Sequence, residues 1–227
     1  MNINNAGQNQ RRNFLTKMIS SAAAFSLATL VSPFKAGAET LTTPAVSTDS
    51  SSKWLMNLSA KHKMVFDVLK NNDGVFMVGL GNYLNGYNTD GTPDKDINAV
   101  VVFRHIMVIC AINDDMWEKY KFGEVFKLND PKTGEFAKNN VYWKDNLVAD
   151  LANFTIHRMQ KRGVLFGVCA KGLDSVHEHI AMVYKLSKSD ITKEISANML
   201  PDIEIIPSGL WGVDRAQEQG CNYCYTG

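Results

Sequence analysis

The sequence INAVVVF, residues Ile97–Phe103, decides the fold class because it ends in five consecutive apolar residues. A strand that is covered on both faces has this continuous pattern, whereas a half-exposed strand alternates apolar and polar residues. A second run of the same kind, VLFGVC, occupies residues 164–169. Shorter runs at residues 64–68 and Ile203–Ile206 bring the predicted strands to four.

Helical patterns separate these strands. An apolar stripe predicts a helix before the second strand, and another stripe follows the third strand, with Asp174 and Ser175 as its predicted cap. A further helix is predicted from Ser208 to Gln219, with Gly220 after its end. The two stripes are Phe76, Leu80, Tyr83 and Tyr87, and Ile180, Val183, Tyr184 and Leu186. Strands that alternate with helices predict an α/β fold, a three-layer α/β/α domain with a mostly parallel sheet.

The segment 113–146 interrupts this alternation. Residues 114–120 favour a short helix, and residues 129–134, NDPKTG, favour a turn and a loop. Long insertions in compact domains often carry a functional site. Three aromatic residues here are therefore candidates for a surface that meets a partner, namely Trp117, Tyr120 and Trp143.

Residues 1–38 have the features of an export signal. Arg11 and Arg12 precede Phe-Leu, and an uncharged run of 14 residues follows them. This order resembles a twin-arginine signal peptide. The run is shorter than the roughly 20 residues that a spanning helix needs, so no permanent membrane anchor is predicted. Small residues before Glu39 predict cleavage there, and we expect a periplasmic or exported protein with the twin-arginine export machinery as a partner.

Two further regions follow the signal. Residues 39–53 are a predicted flexible linker because eight of the fifteen are Ser or Thr, and residues 54–227 are one predicted domain. The formal net charge of +1 becomes −3 when residues 1–38, with four cationic side chains and no acidic one, are removed. A mildly acidic domain lacks the basic surface that nucleic acid requires, so no nucleic-acid partner is predicted.

Ligands of a parallel sheet bind at the carboxyl ends of its strands. Asp67, Arg104, His105, Cys169 and the segment 207–209 lie at these predicted ends. A thiolate at a strand end before a helix is stabilised by the helix dipole, and a neighbouring Arg104 or His105 adds positive charge. Cys169 is therefore the candidate catalytic thiol, with Arg104 and His105 beside it. The alternative is that Cys169 is a small buried apolar residue, as free cysteines often are.

The other cysteines have several interpretations. Cys221 and Cys224 are three residues apart, so on a strand they point to opposite faces at about 10 Å, and a disulfide between them requires a turn. They supply at most half of a zinc site, and are weak metal candidates. A disulfide between Cys110 and Cys169 would remove the reactive thiol.

The remaining histidines and glycines indicate no cofactor. His177 and His179 are two positions apart on a helix, too far around its axis to hold one metal, and are predicted to be exposed. His157 is also predicted on a helix surface. Gly79 and Gly81 lack the third glycine of a dinucleotide-binding loop. No cofactor is predicted.

Several segments together resemble one known family. These are residues 61–67, 82–84, 99–105, 117–120, 164–169, 207–210 and 217–221. They are similar to DsrE/DsrF-like proteins over most of residues 62–225. The resemblance implies an α/β/α domain, frequent homo-oligomers and, in sulfur-relay members, a cysteine that carries sulfane sulfur as a persulfide. Cys169 lies near the place of that cysteine. The export signal and the insertion at 113–146 depart from the relay proteins.

The sequence thus predicts an exported DsrE-like protein that handles sulfane sulfur, or another small ligand, through Cys169. A small molecule or a sulfur-carrying protein is the expected partner, and the protein is expected to form homo-oligomers. The alternative is a non-enzymatic module that binds a small ligand or a protein and has no catalytic thiol. A third interpretation is a metal-binding protein that uses Cys221 and Cys224.

Overall fold

A computed structural model describes residues 54–55, 58–144 and 153–226. Its centre is a sheet of five parallel strands in the order β4-β3-β2-β1-β5. The strands are β1 (His62–Val68), β2 (Ile97–Phe103), β3 (Leu165–Cys169), β4 (Ile203–Ile206) and β5 (Asn222–Tyr225). The four predicted strands are confirmed, and β5 adds a fifth strand beside β1.

Helices occupy the connections between the strands. Helix α1 (Val75–Thr89) joins β1 to β2. Helices α2 (Asp114–Lys119), α3 (Phe122–Phe126) and α4 (Ile156–Lys161) follow β2. Helices α5 (Ala170–Tyr184) and α6 (Lys188–Ala197) join β3 to β4, and α7 (Gly209–Glu218) joins β4 to β5. Short 3-10 helices lie at Asn72–Gly74, Asp94–Asp96 and His105–Ala111.

These helices cover both faces of the sheet. Strands β1 to β4 follow one another across the sheet in one direction, and right-handed crossovers place the helices between them on one face. The return from β4 to β5 runs in the opposite direction, so α7 packs on the other face. The contacts agree, because Phe76 of α1 clusters with Phe66 and Phe103, whereas Val213 of α7 clusters with Val65. The domain is therefore a three-layer α/β/α fold, as predicted.

The start of α5 differs from the prediction. Asp174 and Ser175 lie inside the helix, because the Cys169 side chain accepts an amide hydrogen from the first turn and caps it five residues earlier than Asp174 would. Val183 and Leu186 of the predicted stripe are exposed. The helix is buried instead through Leu173, Val176, His177, Ile180 and Ala181.

The boundaries of α7 match the prediction. The Ser208 hydroxyl accepts the amide hydrogen of Trp211 at 3.1 Å and caps the helix. Gly220 follows the C-cap residue Gln219 with a φ of 87°, in the left-handed region that favours glycine.

The insertion after β2 packs into the core. The buried side-chain amide of Asn140 donates hydrogen bonds to the carbonyl oxygens of Cys110 and Ile112, at 2.8 and 2.9 Å. The predicted aromatic surface is wrong because its rings belong to this core and are at most 7% exposed. These rings are Trp117, Tyr120 and Trp143. Helix α2 confirms the predicted short helix.

The predicted signal peptide, residues 1–38, and the predicted linker, residues 39–53, lie outside the described residues. Within the described ranges, every helix is too short or too polar to cross a membrane.

Candidate functional site

An ion pair joins the carboxyl ends of β1 and β2. Asp67 is 1% exposed, and both of its carboxylate oxygens accept hydrogen bonds from Arg104. Arg104 Nε lies 2.5 Å from Asp67 Oδ1, and Nη2 lies 2.8 Å from Oδ2. A bidentate pair of this kind fixes the orientation of the guanidinium. The hydrogen bonds to Asp67 are also the main cause of a raised pKa for Arg104.

Arg104 also lies against the start of α7. A Cβ atom on Gly209 would be only 2.7 Å from Cβ and Cδ of Arg104. The arginine stem therefore passes over bare backbone, which only glycine provides. The side chain of Arg104 remains 22% exposed, so solvent reaches part of it.

Cys169 ends β3 at the position next to Arg104. Because β2 and β3 pair Phe103 with Val168, the residues that follow each of them are neighbours across the sheet. Cys169 Sγ accepts the amide hydrogen of Gly172, with 3.2 Å between N and Sγ, and caps the 15-residue helix α5. The amides and the dipole of a helix N-terminus favour negative charge on an atom placed there. Cys169 is 7% exposed.

His105 lies at the rim of this edge. Its backbone has a φ of 57°, which is uncommon for a residue with a side chain. The backbone packs on α5, since a Cβ atom on Gly172 would lie 3.2 Å from the His105 carbonyl oxygen. The imidazole is exposed, and within the described residues it forms no hydrogen bond with Cys169 or Arg104.

Two residues of the site were missed by the sequence reasoning. The Tyr223 hydroxyl donates a hydrogen bond to Asp67 Oδ2 at 2.8 Å. The Thr226 amide and hydroxyl both donate to the Asp67 carbonyl oxygen, at 3.0 and 3.1 Å. Burial and then Asp67 raise the pKa of Tyr223. The short sequence NYCY is compatible with a strand, but nothing in it indicates that this strand pairs with β1.

All four cysteines are free thiols in the structure. Burial raises the pKa values of Cys110, Cys221 and Cys224. Cys110 is fully enclosed in the 3-10 helix after β2. Cys224 lies on β5 and Cys221 precedes it. Within the described ranges, no three His, Cys, Asp or Glu side chains are arranged to hold a metal ion.

His177 is buried, which corrects the prediction of an exposed face. It is 4% exposed because α6 packs over this part of α5, and its Nδ1 lies 3.2 Å from the Thr192 hydroxyl. Its Nε2 has no hydrogen-bond partner among the residues that the structure describes. Burial lowers the pKa of His177 to about 4. His179 is exposed, as predicted.

Two clefts lie away from Cys169. One, of 680 Å³, is lined by Asn85, Asn153, Phe154, His157, Arg158, Lys161 and Arg162. The other, of 320 Å³, lies between the loop after β1 and the insertion, and its lining includes Asp73, Lys127 and Tyr142. Neither of these two clefts is lined by Cys169 or Arg104.

Comparison with known proteins adds no relative. No protein-family model matches the chain, and no curated protein matches it either. The functional interpretation therefore depends on the site described above and on the resemblance of the sequence segments.

Proposed function

We propose that the protein is a DsrE-like domain that carries sulfane sulfur as a persulfide on Cys169. One observation carries the proposal: Cys169 Sγ lies at the carboxyl edge of the sheet and accepts the Gly172 amide hydrogen at the start of α5. A thiolate is the nucleophilic form of cysteine, and a helix N-terminus supports its charge. Arg104 at the neighbouring register position adds positive charge.

The transfer step balances without an oxidant. The Cys169 thiolate attacks the outer sulfur of a persulfide donor, R–S–S⁻, and forms a new S–S bond. The donor's own S–S bond breaks, and R–S⁻ leaves with the electron pair of that bond. A second thiolate, on an acceptor, removes the sulfur in the same manner. The donor is a small molecule or a sulfur-carrying protein.

The surroundings of Cys169 suit a carrier. Cys169 is only 7% exposed, so a persulfide on it is largely shielded from bulk solvent. Because only a small part of Cys169 is exposed, the site favours transfer of a single terminal sulfur atom over chemistry on a large substrate.

Export and assembly belong to the same proposal. Arg11 and Arg12 direct the folded domain to the twin-arginine machinery and out of the cytoplasm. Replacing both by lysine is expected to retain the protein in the cytoplasmic fraction, and an unchanged distribution would contradict export by this route. Light scattering of the purified protein tests the expected homo-oligomer.

Intact mass spectrometry tests the sulfur-carrying role. The protein is incubated with a persulfide donor and its mass is measured before and after reduction. We expect a reducible gain of about 32 Da, one sulfur atom, localised to Cys169. Cys169→Ser is expected to abolish this gain, whereas Cys221→Ser, which removes a cysteine of similar burial, retains it.

The alternative is a binding module without a reactive thiol. The observation that favours it is the 7% exposure of Cys169, close to the 6% of the core residue Cys221. A mass gain that is absent, or that is unaffected by Cys169→Ser, supports this alternative and contradicts the persulfide carrier.

A further inference from the structure

Strand β5 forms one edge of the sheet and pairs only with β1 among the described residues. The Thr226 amide, just after the strand, donates to the Asp67 carbonyl oxygen at 3.0 Å and so points towards β1. Hydrogen-bonding direction alternates along a strand, so Cys224 also points its amide and carbonyl towards β1. The amides and carbonyls of Tyr223 and Tyr225 therefore point outward, away from the sheet.

The outward main-chain groups lack a strong partner. Within the part of the chain that the structure describes, neither tyrosine amide donates a hydrogen bond to another segment. The Tyr225 carbonyl oxygen has only a contact of 4.0 Å from Cys224 Sγ. Unpaired groups of this kind make a sheet edge a template for another strand. The same contact places the Cys224 thiol at the outer margin of β5.

The side chains of β5 are also accessible at this edge. Tyr223 and Tyr225 are two residues apart and share one face of the strand, where they are 46% and 50% exposed. Cys224 lies on the opposite face and is only partly buried against the core that α1 covers. The edge thus presents two aromatic rings on one face and one thiol on the other.

The other edge of the sheet, β4, is protected in a way that β5 is not. Strand β4 carries the charged Glu204, and the Gln160 side chain covers the backbone just before it by donating to the Pro201 carbonyl oxygen at 2.8 Å. Charges, prolines and covering groups are the usual means of blocking an edge strand. Residues 219–226 contain no charged residue and no proline, so β5 remains able to pair.

A second copy of β5 fits this edge in an antiparallel register about a twofold axis. The register that uses both outward-pointing residues pairs Tyr223 with Tyr225 of the second copy, and Tyr225 with its Tyr223. Four main-chain hydrogen bonds then form, because each of these residue pairs exchanges two. The exposed rings meet as cross-strand aromatic pairs. Cys224 lies on the axis, opposite Cys224 of the second copy, at a Cα separation of about 4.5 Å.

We propose that two copies of this chain pair through β5 and join their sheets into one continuous sheet. The pairing covers the exposed tyrosine rings and brings no like charges together, since residues 219–226 carry none. Helix α1 packs over β1 and β2, inside the edge, and leaves β5 accessible. The pairing does not depend on the chemistry of Cys169, so it stands or fails separately from the proposed function.

Sedimentation velocity of the full chain over a range of concentrations tests the pairing, with Tyr225→Pro as the variant. Proline removes an outward amide, whereas the inward amides that bond to β1 belong to Cys224 and Thr226. We expect a wild-type dimer, and a dissociation constant at least about 30-fold higher for Tyr225→Pro, because two of the four hydrogen bonds are lost. A monomeric wild type, or a variant that dimerises equally well, overturns the proposal.

Tyr225→Val is the matched control, because valine removes the same ring but keeps the outward amide and suits a strand. We expect it to raise the dissociation constant by less than about tenfold, through the lost aromatic pairs. Equal weakening by the valine and proline variants would overturn pairing through the backbone. Circular dichroism and urea denaturation verify that both variants keep the wild-type fold.

A disulfide trap tests the register without altering β5. A Cα separation of about 4.5 Å lies within the range that a disulfide spans. Diamide oxidises two thiols to a disulfide and takes up their two hydrogen atoms, so it is expected to link two chains through Cys224. The linked dimer is seen on a non-reducing gel and is lost on reduction. Peptide mapping identifies the cysteines that it joins.

The cysteine variants make this trap specific. Cys224→Ser is expected to abolish the linked dimer, whereas Cys221→Ser and Cys169→Ser retain it, because only Cys224 lies on the proposed axis. A dimer in sedimentation that diamide does not link, or links through another cysteine, overturns this register. Linkage through Cys224 together with weakening by Tyr225→Pro supports the paired β5 strands.

Discussion

Arg162, the C-cap residue of α4, holds both carboxylate oxygens of Asp94, with Nε at 2.8 Å and Nη2 at 2.9 Å. Asp94 lies in the 3-10 helix just before β2, so the pair ties the end of the insertion to the start of a central strand. The same guanidinium donates to Asn85 and Asn88 near the end of α1. One side chain therefore joins three elements at the amino end of the sheet.

Replacing Arg162 by lysine is expected to lower the free energy of unfolding by about 1–2 kcal/mol, because lysine cannot reproduce the fork. Urea denaturation at pH 7 measures this change. Arg215→Lys is the matched control, since the Arg215–Glu218 pair lies within one helix and is exposed. We expect that control to change stability by less than about 0.5 kcal/mol, and equal effects would contradict a special role for Arg162.

The pair of Arg162 and Asp94 also predicts that the stability of the protein depends on pH in the acid range. Hydrogen bonds from Arg162 lower the pKa of Asp94 below its ordinary 3.8. A carboxylate of this kind contributes stability above its unfolded pKa and loses it as the pH falls through the lower folded value. The stability difference between the wild type and Arg162→Lys is therefore expected to narrow below pH 4. A difference that stays constant down to pH 2 would show that Asp94 is not the partner that matters.

The buried His177 predicts that stability also depends on pH in a higher range. Its folded pKa of about 4 lies below the ordinary 6.5, so the unfolded chain binds a proton that the folded chain does not. Stability is then fully present above pH 6.5 and falls towards pH 4, by up to about 3 kcal/mol. His177→Gln is expected to remove this part of the pH dependence, whereas His179→Gln on the exposed side retains it. Urea midpoints at pH 7 and 4.5 measure both.

Cys169 and Cys221 form a matched pair for reactivity, because they are 7% and 6% exposed. Cys169 accepts a helix amide hydrogen, whereas burial raises the pKa of Cys221. Iodoacetamide at pH 7 is therefore expected to label Cys169 about tenfold faster than Cys221. Peptide mapping over time measures the two rates, and similar rates would argue against an activated thiol. Cys110, at 0% exposure, is expected to react only in urea.

Two glycines predict stability changes of opposite sign. Gly209→Ala places a methyl group against the Arg104 stem and is expected to cost about 1–3 kcal/mol. Gly79 lies inside α1, and a Cβ atom there meets nothing within 4 Å. Gly79→Ala is therefore expected to add about 0.5–1 kcal/mol through helix propensity. Chemical denaturation compares the two, and changes of the same sign would contradict the close packing at Gly209.

The sequence predicts the elements whose signals are local. Strand β2 was located to the residue because its apolar run is continuous, and α7 was located because Ser208 and Gly220 are a capping hydroxyl and a left-handed glycine. These signals depend on the backbone of one segment and need no knowledge of its neighbours.

Three of the errors concern contacts between distant segments. His177 was placed on an exposed face because nothing in its own helix indicates that α6 covers it. Trp117 was placed on a surface because the anchor of its segment, Asn140, acts through carbonyls about 30 residues earlier in the chain. Tyr223 was missed because its partner Asp67 is reached only when β5 pairs with β1. Burial and pairing of this kind are tertiary properties.

The pairing of β5 with β1 also has a consequence for folding kinetics. Tyr223 and Asp67 are 156 residues apart, so the ribosome makes β1 long before the strand that completes its edge. Closing so long a loop is slow, and contacts of high sequence separation form late in folding. The carboxylate that orients Arg104 thus acquires its tyrosine partner only after a further 156 residues have been added to the chain. A nascent domain still lacking β5 would present an open sheet edge and a loosely held guanidinium, and an open edge of this kind is prone to aggregation.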